Sequence, residues 1–168
     1  MPRSSDYSRT AGGQALAARL RRLSERLDRD GTRIYAAAGI GFEQRWYGVL
    51  NQLVVRGPSS VSDIASALRI THVSVSQAIR SLEHAGVGQG EADPSDGRRR
   101  LLSLTAEGDA LVERLGPLWS SFNAAAGELN EEAGDVVALL DRLDDALERR
   151  SMFERVAAHA GLPSNHAD

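Results

Sequence analysis

His72, Ser76 and Arg80 recur every four residues, and Val73 and Gln77 form a neighbouring row with the same spacing. On a helix the two rows share one side, so a carboxamide, a guanidinium, an imidazole and a branched aliphatic group are presented together. Those groups suit base edges. Gln77 can make a bidentate contact to adenine, Arg80 can bond guanine or a phosphate, and Val73 can touch a thymine methyl. His72, Ser74 and Ser76 fit phosphate or water-mediated contacts, and Thr71, which caps the helix, completes the candidate set. Arg80 is also spaced to pair with Glu83, which would leave only a solvated face. A second cationic group, Arg98-Arg99-Arg100, follows the turn Asp93-Pro94-Ser95-Asp96-Gly97. A reading helix followed closely by an arginine-tipped hairpin is the layout of a module that grips DNA through both grooves.

The elements that must position these groups are legible from periodicity. Apolar runs over 61–68 and 71–85 are separated by Arg69 and Ile70 alone, as in a helix-turn-helix. Ser60-Val61-Ser62-Asp63 reads as a capping box opening the first of these helices, with Ile64, Ala65 and Leu68 inward. Val75, Ile79 and Leu82 form the buried side of the second, which ends at Gly86. Arg69 stands in the tight turn, where glycine or asparagine would be easier. Residues 87–92 and 100–104 read as two strands joined by the Pro-Ser-Asp-Gly turn. Upstream, a helix over 43–55 places Trp46, Val49, Leu50, Leu53 and Val54 inward and stops at Gly57-Pro58.

The two ends of the chain carry narrow apolar stripes. Leu16, Leu20, Leu23, Leu27 and Ile34 share one stripe of a helix that opens at Gly12 or Gly13, is interrupted at Gly31 and ends at Gly39-Ile40-Gly41. Beyond Thr105 one helix carries Leu111, Leu115, Leu118 and Phe122 and is expected to kink at Gly116-Pro117, and another carries Val136, Leu140, Leu143 and Leu147. Met152, Phe153 and Val156 are expected to extend the last helix. Such seams at both termini point to packing across a two-fold axis, with Leu16, Leu20, Leu23, Leu27, Val136, Leu140, Leu143 and Leu147 as the dimer interface. The expected fold is mainly α with a small β-hairpin wing (α+β). Dimerisation helices at 1–42 and 105–168 flank a winged helix-turn-helix at 43–104.

Composition excludes several functions. With no cysteine, disulfides, thiolate metal sites and thiol-based sensing are ruled out. His72, His84, His159 and His166 are too scattered for a metal-ligand spacing, and no cofactor is expected. Gly39-Ile40-Gly41 lacks the third glycine of a phosphate loop, and no nucleophile elbow or paired carboxylate suggests an enzyme. No apolar run approaches the roughly 20 residues that span a bilayer, and no secretory signal follows Arg3 and Arg9, so a cytoplasmic location is expected. All 20 basic residues are arginine, and the net charge is −3. From 61 to 104 five arginines balance five acids, so binding must rest on local placement of arginine rather than on a global field.

The segment Asp96-Gly97-Arg98-Arg99-Arg100-Leu101-Leu102-Ser103-Leu104-Thr105-Ala106-Glu107-Gly108 resembles the D-x-R wing and the following L-T-x-x-G helix start of the multiple antibiotic resistance regulator (MarR) family of winged-helix repressors. The resemblance extends over nearly the whole chain. It implies a homodimer whose recognition helices enter successive major grooves of an inverted-repeat operator in double-stranded DNA. It assigns Arg98 to the minor groove and Asp96 to a salt bridge that orients the wing arginines. Arg99 and Arg100 alternate in direction, so at most one shares the face of Arg98. It also implies a small-molecule effector, and Tyr35, Trp46, Tyr47, Trp119 and Phe122 are the candidate pocket, suited to a planar aromatic compound. The alternative is a winged-helix protein-interaction module with little DNA affinity.

Overall fold

A computed structural model describes residues 6–163. The elements are α1 (Tyr7–Thr10), a 3-10 turn (Gly12–Ala15), α2 (Leu16–Ala37), α3 (Trp46–Arg56), β1 (Ser59–Ser60), α4 (Val61–Leu68) and α5 (His72–His84). They continue with β2 (Gly88–Ala92), β3 (Arg100–Leu104), α6 (Ala106–Glu132), α7 (Val136–Arg149) and α8 (Met152–Ala160). The three strands form an antiparallel sheet in the order β1-β3-β2. The mainly helical fold with a small antiparallel wing matches the expected class. The chain divides into two compact units between Glu113 and Arg114.

In the first unit, α3, α4 and α5 pack together and the sheet closes one side. Leu50, Ile64, Val75 and Leu82 are fully buried, with Val49, Leu53, Ala65, Ala78, Leu102 and Leu111 around them. Val54 is 48% exposed rather than inward, because Trp46, Val49, Leu50 and Leu53 make the buried face of α3 and Val54 falls at its edge. On α5 the small Ala78 joins Val75 and Leu82 on the buried side, and Ile79 is half-buried. Residues 59 and 60 add a strand too short to register as a pattern; it pairs Ser59 with Leu102 and Ser60 with Leu101.

Local chemistry sets the helix ends. Ser60 and Asp63 close the expected capping box, Thr71 caps α5 by accepting the Ser74 amide at 3.1 Å, and Gly57 stops α3 at a φ of 77°. Arg69 adopts the left-handed conformation that its place in the tight turn requires (φ 52°, ψ 40°). Gly31 does not interrupt α2, which runs through it. The glycine is buried under the Gln44 carboxamide, which would lie 2.9 Å from an added Cβ.

In the second unit, α6 continues through Pro117, whose missing N–H leaves the Glu113 carbonyl without its helical donor. Ser120 and Ser121 donate their hydroxyls to the carbonyls of Gly116 and Pro117, each at 3.1 Å. Asn130 and Asp135 bond side chain to side chain at 3.1 Å and close the turn into α7. Met152, Phe153 and Val156 lie on a separate helix rather than extending α7. Arg150 is extended, and Ser151 with Glu154 forms a second capping box. The signal, Ser151-Met152-Phe153-Glu154, has the same Ser-x-x-acid form as the box at Ser60.

Where the first unit closes on itself, the Thr105 amide donates to the Val87 carbonyl at 3.1 Å and its hydroxyl donates to the Gly86 carbonyl at 2.6 Å. The same hydroxyl oxygen accepts the Gly108 amide at 3.0 Å, and Gly108 lies so close to the Val87 carbonyl oxygen that a Cβ would overlap it. Gly108→Ala therefore lowers stability by about 1–3 kcal/mol in urea unfolding, as overpacking against backbone does. Helix propensity alone has the opposite sign, a gain of about 1 kcal/mol for Gly→Ala, so a stabilised variant would disprove the close approach.

Candidate nucleic-acid interface

The buried residues Val75, Ala78 and Leu82 fix the rotation of α5 and thereby what it presents to solvent. His72, Val73, Ser74, Gln77 and Arg80 are exposed, whereas Ser76 is half-buried at the edge of the face. Val73 is 65% exposed, a cost in water that contact with a thymine methyl would remove. The Ser74 and Thr71 hydroxyls bond each other at 2.9 Å, so both serve the helix cap in the free protein. Glu83 does not take Arg80: its carboxylate lies 3.6 Å from Arg100. No ion pair of Arg80 is formed among the described residues.

The back of α5 is tied to the segment before α3. Ser81 donates its hydroxyl to Glu43 at 2.9 Å and accepts from Arg45 at 3.1 Å, and Arg45 and Glu43 are themselves paired. These groups gave no sequence signal, since 36 and 38 residues separate the bonded partners.

The wing is built by two side-chain turns. Asp93 accepts the amide and hydroxyl of Ser95 at 2.8 and 2.6 Å, and Asp96 accepts the Arg98 amide at 3.0 Å. Asp96 thus holds backbone rather than the wing guanidinium groups expected of it. The ion pairs of Arg99 go instead to Asp63 at 2.8 Å and Asp93 at 3.9 Å. Arg100 donates to the Gly90 carbonyl at 3.1 Å and lies beside Glu83. Arg98 is exposed, and its guanidinium forms no ion pair among the described residues. The alternation along the strand therefore separates the three arginines: two are held within the protein, and Arg98 is left outward.

Hydrogen bonds from Ser60 and then the positive charge of Arg99 and Arg56 hold the Asp63 carboxyl below its ordinary pKa. Hydrogen bonds from Ser95 and then Arg99 do the same for Asp93.

Of the five aromatic residues considered for an effector, Tyr35 and Trp46 are buried and packed through Phe42, at ring-centroid distances of 4.3 and 5.8 Å. They fill the core of the first unit, and the Trp46 indole N–H is buried without an acceptor. Tyr47 is exposed, and Trp119 and Phe122 are half-buried in the second unit. Among the described residues no group of histidines or acids could hold a metal ion, and no helix is long and apolar enough to cross a membrane.

A MarR-family sequence model matches residues 40–99. The uncharacterised HTH-type transcriptional regulator YkoM of Bacillus subtilis is 30% identical over 104 residues, 61% of this chain and 68% of that protein. Among solved structures, the chain is similar to BpsR of Bordetella bronchiseptica, whose DNA binding is regulated by 6-hydroxynicotinic acid. The identity is 28%, over 77% of this chain and 92% of that one, with a TM-score of 0.61. It is similar also to the transcriptional repressor CouR bound to a 23-mer DNA duplex, at 26% identity over 78% of this chain and 91% of that one, with a TM-score of 0.60.

A lowered carboxylate pKa means that the wing contacts of Asp63 and Asp93 are complete above about pH 4, the ordinary aspartate value, and are lost as pH falls through the lowered ones. In an NMR titration of the side-chain carboxyl carbons both residues will titrate below the ordinary value, and Arg99→Ala will raise both midpoints. Midpoints that ignore Arg99 would refute the assigned pairs.

Proposed function

The chain belongs to the MarR family of DNA-binding transcriptional regulators, and on that premise we propose that it is a homodimeric repressor, released from an inverted-repeat operator by a small aromatic effector. It is a regulator and not an enzyme. The observation that carries the reading is the joint exposure of Val73, Gln77 and Arg80 on α5 with the outward Arg98 on the wing. In this mode α5 enters the major groove, where Gln77 reads adenine, Val73 meets a thymine methyl and Arg80 takes guanine or phosphate. Arg98 enters the adjacent minor groove. Arg99 and Arg100 stay in their intramolecular pairs and orient the wing.

Support for the dimer is the unburied state of both terminal seams. Leu16, Leu20, Leu23 and Leu27 are 38–58% exposed, and Val136, Leu140 and Leu147 are 38–43% exposed, with Leu143 half-buried. Apolar stripes of this kind are stable in water when a second copy covers them. Residues 1–42 and 105–168 then serve dimerisation, and 43–104 serve reading. An effector is supported by the regulated DNA binding of BpsR. A regulator of this kind acts in the cytoplasm, where the operator is.

Fluorescence-anisotropy titration of a duplex spanning the protein's own promoter, at several salt concentrations, tests the DNA mode. Arg98→Ala will weaken binding and reduce the salt slope by about 0.9, the value of one phosphate-neutralising contact. Gln77→Ala will cost about 1–3 kcal/mol on the cognate duplex while leaving the slope unchanged. Affinity that ignores both salt and Arg98 would transfer the function to a protein partner. For the dimer, Leu20→Glu combined with Leu140→Glu will shift the sedimenting species to a monomer, and a native dimer in that variant would rule out these seams.

A further inference from the structure

Three consecutive arginines end the wing; Arg100 lies beside Glu83 of α5, and Arg99 reaches back to the cap of α4. Its Nη2 donates to Asp63 Oδ2 at 2.8 Å and to Ser60 Oγ at 3.1 Å, while its Nε lies 3.9 Å from Asp93 Oδ2. The Asp63 oxygen it meets already accepts the Ser60 amide at 3.3 Å and the Ser60 hydroxyl at 2.7 Å, so one carboxylate oxygen serves the α4 cap and the wing together. Asp93 closes the first turn of the wing and is buried to within 8% of full exclusion from solvent. A wing otherwise joined to the module through its strands is thereby fastened at its loop, one residue from the outward Arg98.

We propose that Asp63 is a positioning residue for DNA binding, which through Arg99 sets the angle of the wing against the helix-turn-helix and so delivers Arg98 to the minor groove. The inference rests on the minor-groove reading of Arg98 given above. Its physical basis is the separation of two roles within one side chain. The α4 cap needs only an acceptor, which asparagine retains; the grip on Arg99 needs the negative charge, which asparagine lacks. A wing without the grip samples a range of angles, and ordering it on DNA then costs conformational entropy that the clamped wing has already lost.

The charge argument gives the test an unambiguous sign. Asp63→Asn removes an acid from a DNA-binding module, and net charge alone would then make binding tighter and steeper in salt. The clamp requires the reverse. In anisotropy titrations on the promoter duplex, Asp63→Asn is expected to bind roughly tenfold more weakly, the scale of one lost arginine contact, with a shallower salt slope. Arg99→Gln, which leaves the capping box whole, is expected to show the same loss, so that an effect of Asp63→Asn cannot be ascribed to fraying of α4. Combined with Arg98→Ala, Asp63→Asn is expected to add no further loss, a coupling that a merely structural role of Asp63 would not produce. If Arg98→Ala weakens binding while Asp63→Asn binds as well as wild type or tighter, the clamp is wrong and the minor-groove reading stands. Loss in Arg99→Gln without loss in Asp63→Asn would make Arg99 a DNA contact and also overturn the clamp. If Arg98→Ala itself has no effect, the underlying reading fails and the inference with it.

Discussion

The reading module is tied together where Thr105 meets Gly86, Val87 and Gly108. The chain leaves α5 at Gly86, passes out and back along β2 and β3, and must start α6 against the residues it has just left. Thr105 satisfies the Gly86 and Val87 carbonyls with its hydroxyl and amide and caps the first turn of α6 through Gly108. Close approach of Gly108 to the Val87 carbonyl brings the end of the recognition helix, the base of the wing and the start of α6 to one point. The register of β2 on β3, Gly88 opposite Leu104 through Ala92 opposite Arg100, is fixed from that end. The rotation of α5 is fixed from the other side by Val75, Ala78 and Leu82. What the helix and wing can present to a duplex follows from these two anchors.

Electrostatics then divides the labour among chemically identical side chains. A net charge of −3 offers no general attraction for a polyanion, so cations must be placed individually. Arg99 and Arg100 are held by Asp63, Asp93 and Glu83, which offset two of the three wing charges and brace the hairpin. These pairs are partly exposed, and their value lies in orientation more than in stability. Glu83 is taken up by Arg100 and not by Arg80, so the Arg80 guanidinium stays on the exposed face of α5. The exposed Val73 fits the same division, since an apolar side chain at the head of a solvated face gains little until something covers it.

The two units present different problems of burial. In the first, an aromatic cluster of Tyr35, Phe42 and Trp46 and an aliphatic core satisfy the apolar surface within one chain, at the expense of an unbonded indole N–H. In the second, α7 and α8 end in well-formed caps, yet Val136, Leu140, Met152 and Phe153 remain exposed. Good local hydrogen bonding in this unit thus goes with incomplete burial of its apolar side chains.

Much of this protein was legible in its sequence because the signals are local. Apolar spacing located α2 to α7, the Ser-x-x-Asp box placed the start of α4, and Gly57-Pro58 marked the end of α3. Each depends on residues within one or two turns of each other, where geometry is nearly independent of the rest of the fold. The partners of the wing arginines were not legible. Arg99 and Asp63 are 36 residues apart, and nothing in either segment distinguishes that pair from one with Asp96 three residues away. The same limit hid β1, whose two residues form a strand only because β3 lies beside them, and it made Gly31 look like a break when it is a seat for Gln44. Sequence determines which segments can be helix, turn or strand and which faces are apolar. Pairing between distant charges and close contacts between backbones exist only once the segments have been brought together, and tertiary packing decides them.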